Sequence, residues 1–130
     1  MILVDTCVII DYLKAPTPKL KNVFKKNEIA TCGVVMAELL RGAGSENQFN
    51  QLKKAMECFE FIHFEKTDWD NLGLMLYKLK ANGIAVPFQD AMIALLAIKS
   101  GCFLWTTDKH FQLMQTIFPE LKLFSKSLTT

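Results

Sequence analysis

The sequence lacks the features that direct a protein into a membrane or out of the cell. No uninterrupted apolar run approaches the roughly 18 residues of a membrane-spanning helix. The N-terminus begins with the apolar residues of a predicted strand, and no charged segment followed by a signal core precedes them. We therefore expect a cytoplasmic protein that makes no contact with a membrane.

Cysteine and histidine, the residues that most often bind zinc, are scarce as well. The four cysteines have no CxxC spacing and three of them adjoin predicted strands, which favours buried free thiols over zinc ligands or disulfides. They are Cys7, Cys32, Cys58 and Cys102. The two histidines, His63 and His110, are far apart in the sequence, and we expect an ordinary structural role for each.

Three classes of α/β protein that handle phosphate are excluded by missing motifs. A Walker-type NTPase would need a glycine-rich phosphate loop, and the six glycines form none. A receiver domain would need a second acidic residue beside Asp5. A haloacid-dehalogenase-type phosphatase would need Asp-x-Asp, but this chain has Cys7 at the second acidic position.

The sequence does contain four acidic residues that each interrupt an apolar segment. Asp5 follows the β-branched run Ile2–Val4, which predicts a buried strand, and Thr6 is the predicted hydroxyl N-cap of the next helix. Asp108 similarly follows a strand predicted over Cys102–Trp105. Ligands bind beyond the carboxyl ends of strands in α/β sheets, so both carboxylates lie where a site is expected.

The other two acidic residues lie on the apolar faces of predicted helices. Glu38 belongs to a helix predicted over Val34–Arg41 and shares its face with the valines three and four positions earlier. Asp90 lies one turn into a helix predicted over Pro87–Lys99, on the side that carries apolar residues three, four and seven positions later. Both carboxylates therefore point inward.

Each carboxylate alone has a structural explanation. Asp108 can cap a helix, and Asp90 can complement the positive end of its helix. Glu38 can pair with Arg41 three residues later. Four carboxylates in one pocket require a further explanation, because two charges about 5 Å apart repel by roughly 3 kcal/mol at an effective dielectric constant near 20. Converging carboxylates predict bound cations, and oxygen ligands favour Mg²⁺ or Mn²⁺ over zinc.

The rest of the chain completes an alternation of strands and helices. Further strands are predicted over Glu28–Thr31, Glu60–Phe64 and Leu121–Phe124. Thr67 is the predicted cap of the helix after the third strand, with Asp70 three residues further on. This pattern predicts an α/β fold, one domain over residues 1–130, with a central parallel sheet and helices on both faces.

The charge balance is compatible with a nucleic-acid partner and does not demand one. The net charge is +2, from 14 lysines and one arginine against 13 acidic residues. Four of the lysines cluster in one segment: Lys19, Lys21, Lys25 and Lys26. This cluster is either a solvated helix face or a guide for RNA phosphates, and the second role requires an RNA affinity that falls steeply with salt.

The four acidic segments also carry a family resemblance. In order and spacing they resemble the acidic blocks of PIN-domain ribonucleases, and the size of the chain is similar to that of the VapC toxins of toxin–antitoxin pairs. The resemblance extends from Met1 to about Leu123. Its segments are Val4–Leu13, Ala37–Gly42, Val86–Ala94 and Thr106–Phe111.

The resemblance implies an Mg²⁺-dependent endoribonuclease, with Mn²⁺ as a substitute metal. Its metal ligands correspond to Asp5 and Asp90, while Glu38 and Asp108 complete the catalytic pocket at a second metal position or through water. The implied partners are an RNA substrate, a cognate VapB-like antitoxin and a second copy of the chain in a homodimer. The alternative is a non-catalytic PIN-like module that binds RNA or a protein.

Hydroxyl groups around the acidic residues are expected to support the site. Thr106 corresponds to a hydroxyl that the family often keeps there, and Thr6 follows the first carboxylate directly. The chain departs from the family at Cys7, where Ser or Thr is common. It also has the bulky Trp105 where an aliphatic residue is expected, which should narrow one wall of the site.

Overall fold

The computed structural model describes residues 1–125, which form a five-stranded parallel sheet and seven helices. The strands are β1 (Ile2–Val4), β2 (Ile29–Cys32), β3 (Glu60–Ile62), β4 (Phe103–Trp105) and β5 (Lys122–Leu123). The helices are α1 (Thr6–Lys14), α2 (Pro18–Lys26), α3 (Gly33–Arg41), α4 (Glu46–Met56), α5 (Asp68–Ala81), α6 (Phe88–Ser100) and α7 (His110–Ile117). The predicted α/β fold is therefore confirmed.

The order of the strands creates a crevice beside β1. The strands lie in the order β3-β2-β1-β4-β5, and every neighbouring pair is parallel. Leu3 of β1 pairs with Ala30 of β2 on one side and with Leu104 of β4 on the other. The chain moves outward from β1 to β3 and returns to β4, so its direction reverses between β1 and β4. Ligands bind at such a reversal.

The helices form two groups that cover the two faces of the sheet. Contacts join α1 to α3 and α3 to α4 in one group, and they join α5, α6 and α7 in the other. Right-handed crossovers require this separation, because outward and returning connections lie on opposite faces. The sheet is consequently buried on both sides, and all three residues of β1 are buried.

An aromatic cluster packs α1 and α2 against the end of β4. The rings of Tyr12 and Phe24 stack with their centroids 3.9 Å apart. The ring of Trp105 lies 5.9 Å from that of Phe24 and 5.0 Å from that of Phe124. Trp105 is only 3% exposed. Most of its bulk therefore lies in the core, and its remaining surface lines a pocket that it shares with Thr106 and Asp108.

One predicted helix cap is wrong, and a second is confirmed in position only. Asp5, and not Thr6, is the N-cap of α1, and its Oδ1 accepts a hydrogen bond from the backbone N–H of Thr6 at 2.8 Å. Charged acceptors form the stronger hydrogen bonds. Thr67 is the N-cap of α5 as predicted, but its side chain makes no capping bond. The carboxylate of Asp68, the first residue of α5, accepts from the backbone N–H of Glu65 at 2.7 Å.

The remaining local predictions hold with small adjustments. The strand β2 begins one residue later than predicted, and β3 ends at Ile62 instead of Phe64. All four cysteines are free, but only Cys32 and Cys102 are buried, and the prediction of a buried thiol is wrong for the exposed Cys58. Within residues 1–125, no helix has both the length and the apolar character needed to cross a membrane.

An ion pair between the buried Asp68 and the exposed Lys99 joins the start of α5 to the end of α6, the helix that carries Asp90. Asp68 is 4% exposed, and its Oδ2 lies 2.7 Å from Nζ of Lys99. Nζ of Lys99 also lies 3.6 Å from a carboxylate oxygen of Glu65. The hydrogen bonds from Lys99 and from the Glu65 N–H hold the pKa of Asp68 below its usual range. The contact thus fixes the two helices relative to each other.

Replacing Lys99 by Met should lower the melting temperature at pH 7 by several degrees, because the Asp68 carboxylate would remain buried without its partner. A lowered folded-state pKa stabilises the protein above the unfolded-state pKa, and this stabilisation is lost as pH falls through the folded-state value. The difference in melting temperature between Lys99→Met and wild type should therefore shrink below about pH 4. Circular dichroism would measure the melting temperatures, and Lys53→Met, which replaces an exposed lysine, is the control. Equal melting of Lys99→Met and wild type at pH 7 would contradict the prediction.

Candidate functional site

The hydroxyl of Thr106 connects the two acidic residues that follow β1 and β4. Its Oγ1 donates to Oδ2 of Asp5 at 2.7 Å and accepts from the backbone N–H of Asp108 at 3.0 Å. The backbone N–H of Asp5 donates to the carbonyl of Trp105 at 2.9 Å, which continues the β1–β4 pairing by one residue. These bonds fix the spacing between Asp5 and the turn that carries Asp108.

A second set of contacts joins Asp90 and Asp108 through a histidine. Nδ1 of His110 lies 2.9 Å from Oδ2 of Asp90 and 3.1 Å from Oδ1 of Asp108. The same oxygen of Asp108 accepts the backbone N–H of His110 at 3.0 Å, at the start of α7. One potential ligand atom from each of these three residues lies within 4.8 Å of the others. The side chain of Asp90 is 15% exposed, and those of the other two are 40% exposed.

The position of His110 was not foreseen from the sequence, which predicted an ordinary structural role. An isolated histidine gives no periodic signal, and its nearest carboxylate partner on another element, Asp90, is 20 residues away. The available signal was its place two residues after Asp108, because an Asp side chain can accept from the backbone N–H two residues further on. Lys109 is the N-cap of α7, and Asp108 accepts from the first N–H of the helix, so the capping role considered for Asp108 is observed only in this shifted form.

Glu38 reaches the site from α3 without a direct partner. It is half-buried, and within residues 1–125 its side chain makes no hydrogen bond or ion pair, including the one considered with Arg41. Burial raises the pKa of Glu38, the carboxylates of Asp5 and Asp90 raise it further, and Arg41 opposes them. Glu38 therefore belongs electrostatically to the same site.

The electrostatics of Asp90 lead to the same conclusion. Burial raises its pKa, the hydrogen bond from His110 opposes that shift, and the carboxylates of Asp108 and Asp5 raise the pKa further. Asp90 thus interacts electrostatically with each of the other three predicted acidic residues. A half-buried set of repelling carboxylates requires protons or a cation, so the donor set fits a divalent metal ion.

The two predicted metal ligands, Asp5 and Asp90, differ in their surroundings. Asp90 belongs to the closest set of potential ligand atoms, together with Asp108 and His110. Asp5 lies outside that set, with its Oδ1 bonded to the Thr6 N–H and its Oδ2 bonded to the Thr106 hydroxyl. A carboxylate oxygen retains a further lone pair after one hydrogen bond, so a metal-binding role for Asp5 remains a prediction.

Two other residues of the predicted neighbourhood have specific surroundings. Oγ1 of Thr6 is buried and finds no hydrogen-bond partner in the described part of the chain. Sγ of Cys7 lies 3.2 Å from Oγ1 of Thr107, on the turn after β4. The side chain at the Ser/Thr position of the family is therefore bonded to this turn.

A groove and a basic helix lie close to the acidic residues. The groove has a volume of about 320 Å³, runs between α1, α3 and α4, and has Glu38 in its wall. Its apolar lining includes Ile10, Leu13, Leu39, Leu52 and Ala55. The lysines of α2 are exposed and form no ion pair with any residue among 1–125. Both surfaces are available to partners.

Replacing Asp90 by Asn should raise the melting temperature of the metal-free protein at pH 7 by a few degrees, because it removes a charge that Asp5 and Asp108 repel. A raised folded-state pKa stabilises the protein fully below the unfolded-state pKa, and this stabilisation is lost as pH rises through the folded-state value. The advantage of the variant should therefore vanish near pH 4.

Thermal unfolding in EDTA between pH 4 and pH 8 would test this expectation. Asp70→Asn, which removes an exposed carboxylate from α5, is the matched control and should leave the melting temperature almost unchanged. A variant at position 90 that melts below wild type at pH 7 would mean that the hydrogen bond to His110 outweighs the repulsion.

A family model and a relative of known name match most of the chain. The sequence model of the family described as PIN domain matches residues 2–116. Ribonuclease VapC1 of Methanocaldococcus jannaschii is 29% identical to the chain over 132 aligned positions, which cover 96% of this chain and 88% of the relative.

Solved structures of toxin–antitoxin complexes contain chains with a similar fold. A chain of DNA-bound VapBC from Salmonella typhimurium superposes with a TM-score of 0.83 at 20% identity, covering 96% of this chain and 97% of that chain. A chain of VapBC2 from Rickettsia felis, bound to a DNA fragment from its promoter, gives 0.80 at 23% identity and covers 95% and 98%. With the family match, the parallel sheet and four acidic residues in the expected order, the chain belongs to the PIN domain family.

Proposed function

We propose that this chain is a metal-dependent endoribonuclease that hydrolyses RNA phosphodiester bonds and acts as the toxin of a VapBC-type pair. The observation that carries the proposal is the convergence of four carboxylates at the reversal of strand order between β1 and β4. Burial and the neighbouring carboxylates both raise the pKa values of Glu38 and Asp90, so the two charges are costly without a cation. Carboxylates with perturbed pKa values in a crevice are typical of functional sites.

The metal of the proposal is Mg²⁺, with Mn²⁺ as its substitute, because the available ligands are mostly carboxylate oxygens. Asp5 and Asp90 are the proposed ligands, with Asp108 and Glu38 at a second position or acting through water. A bound divalent cation would acidify a water molecule and offset negative charge on the phosphate. The relative Ribonuclease VapC1 supports the choice of RNA as substrate.

Other residues of the chain have proposed roles in proton transfer, in positioning Asp5 and in binding RNA. Glu38 is the proposed proton acceptor, because burial raises its pKa and no hydrogen bond holds its carboxylate within the described residues. Thr106 orients Asp5 through the 2.7 Å hydrogen bond. The exposed lysines of α2 would attract the RNA backbone, which the acidic pocket alone would repel.

A non-catalytic module that binds RNA or protein is the second candidate function. Binding of RNA phosphate favours basic residues, so an acidic crevice contributes nothing to such a module unless a cation is present. Dependence on metal therefore separates the two functions. An enzyme loses activity in EDTA and regains it with Mg²⁺ or Mn²⁺, whereas a module binds RNA with little response to either.

Asp5→Asn should reduce cleavage of a mixed RNA pool by roughly 100-fold or more, because it removes a carboxylate charge from the site and retains its shape. Cleavage would be followed on denaturing gels with Mg²⁺, Mn²⁺ or EDTA. RNA binding, measured by fluorescence anisotropy in EDTA, should be preserved in the variant. The change would then affect chemistry and not binding.

The matched control is Asp11→Asn, because Asp11 is an exposed carboxylate on the same helix. It should cleave RNA at the wild-type rate with either metal. Equal cleavage by Asp5→Asn and wild type would remove Asp5 from the mechanism. Binding without any cleavage by the wild-type chain, in every metal tested, would favour the non-catalytic module.

The antitoxin of the proposal would occupy the groove between α1, α3 and α4. An apolar helix or strand fits the lining of this groove, and Glu38 in its wall would attract a basic side chain of the partner. The VapBC complexes among the structural neighbours support a partner of this kind. A homodimer is also proposed, and the exposed side chains of Trp69, Leu74 and Tyr77 on α5 are candidates for its interface.

Ala55→Trp should leave RNA cleavage intact and abolish neutralisation by the co-expressed cognate antitoxin, because the indole would fill the groove without placing a charge beside Glu38. Growth of cells that carry both proteins would be the measurement. Ala81→Trp, at the exposed end of α5, makes the same change outside the groove and should remain neutralised. Unaltered neutralisation of Ala55→Trp would show that the antitoxin binds elsewhere.

A further inference from the structure

His110 is placed in the acidic site by its neighbours along the chain. His110 is the first residue of α7, its backbone N–H donates to Oδ1 of Asp108, and the next residue, Phe111, is fully buried. The buried phenylalanine anchors the first turn of the helix. The imidazole at this helix start is 40% exposed, and the contacts of its Nδ1 with Asp90 and Asp108 hold it over the carboxylates.

The distances around Nδ1 of His110 are those expected between ligands of one metal ion. Nδ1 lies 2.9 Å from an oxygen of Asp90 and 3.1 Å from an oxygen of Asp108. Adjacent ligands of an octahedral ion, each about 2.1 Å from the metal, are about 3.0 Å apart. A single Nδ1–H makes one good hydrogen bond, here to Asp90, and the backbone N–H of His110 holds the Asp108 oxygen beside the same nitrogen.

We propose that His110 is a nitrogen ligand of the divalent cation, through Nδ1 and beside Asp90 and Asp108, and that it shifts the site's preference from Mg²⁺ towards Mn²⁺. The inference rests on the proposed function, because it requires a cation in the acidic pocket. An imidazole nitrogen is a poor ligand for Mg²⁺ and a better one for transition metals. The all-carboxylate site expected from the sequence would carry no such preference.

Ligation through Nδ1 has a defined consequence for the imidazole proton. The lone pair of Nδ1 forms the bond to the cation, so the Nδ1 proton must leave for solvent or be carried by Nε2. Oδ2 of Asp90, which accepts that proton's hydrogen bond in the metal-free protein, is released at the same time. Loss of the Nδ1 proton therefore makes Nδ1 of His110 and Oδ2 of Asp90 available as ligands together.

The competing explanation is that a protonated His110 serves only to neutralise Asp90 and Asp108. In that case the imidazolium occupies the place of the cation and opposes its binding. The two explanations predict opposite effects of removing the imidazole. Loss of a ligand weakens metal binding, whereas loss of a competing charge strengthens it.

The direct test is pulsed electron paramagnetic resonance of Mn²⁺ bound to the full-length protein. Echo-envelope modulation from a coordinated ¹⁴N nucleus is expected in the wild type and should be absent in His110→Gln, whose amide oxygen can occupy the position without a nitrogen donor. Protein labelled with ¹⁵N-histidine should convert the pattern to that of ¹⁵N. His63→Gln, which removes the exposed histidine, is the matched control and should retain the signal.

Calorimetric titration with the metal ions alone supplies a second readout. His110→Gln should weaken Mn²⁺ binding by about tenfold or more and should change Mg²⁺ binding by a smaller factor. His63→Gln should leave both affinities unchanged. The ratio of the two affinities, and not either one alone, reports the proposed preference.

Three other outcomes of these experiments would each contradict one part of the proposal. Mn²⁺ that binds with wild-type affinity but without nitrogen modulation would overturn His110 as a ligand and leave the carboxylate site intact. Tighter Mn²⁺ binding in His110→Gln would establish the competing cationic role. Failure of the wild-type protein to bind either metal at millimolar concentration would overturn this inference together with the proposed nuclease.

Discussion

The repulsion among carboxylates at the end of a buried parallel sheet is the constraint on which the rest of this structure depends. The fold gathers acidic groups from β1, α3, α6 and the turn after β4, and the raised pKa values of Glu38 and Asp90 record the cost. Such a site persists only where other contacts hold it together. The Thr106 hydroxyl, the His110 ring and the aromatic packing around Trp105 are those contacts.

The scaffold separates the part of the chain that supplies stability from the part that supplies chemistry. The buried core of the sheet and the pair between Lys99 and Asp68 fix α5 and α6 without using any acidic residue of the site. Because α6 is held at its C-terminal end by Lys99, its first turn can present Asp90 to the crevice. Functional residues on rigid elements keep their geometry when no ligand is bound.

Much of this arrangement was predictable because it depends on periodicity and chain order. Apolar runs and turns determined the strands, and the inward faces of two helices identified Glu38 and Asp90. The roles of Thr6 and His110 were not predictable, since they depend on which nearby acceptor forms the stronger hydrogen bond in three dimensions. Asp5 caps α1 in place of the expected Thr6 hydroxyl. His110 lies between the carboxylates of Asp90 and Asp108.

The hydrogen bond between Thr106 and Asp5 joins residues 101 positions apart, and this separation has a consequence for protein synthesis. Contacts between distant segments form only after the intervening chain is available, and domains complete their folding late when such contacts define them. A nascent chain that has not yet released β4 from the ribosome possesses Asp5 and Glu38 but has no assembled pocket. The acidic crevice thus assembles only after the segment from Asp5 to Thr106 has been synthesised.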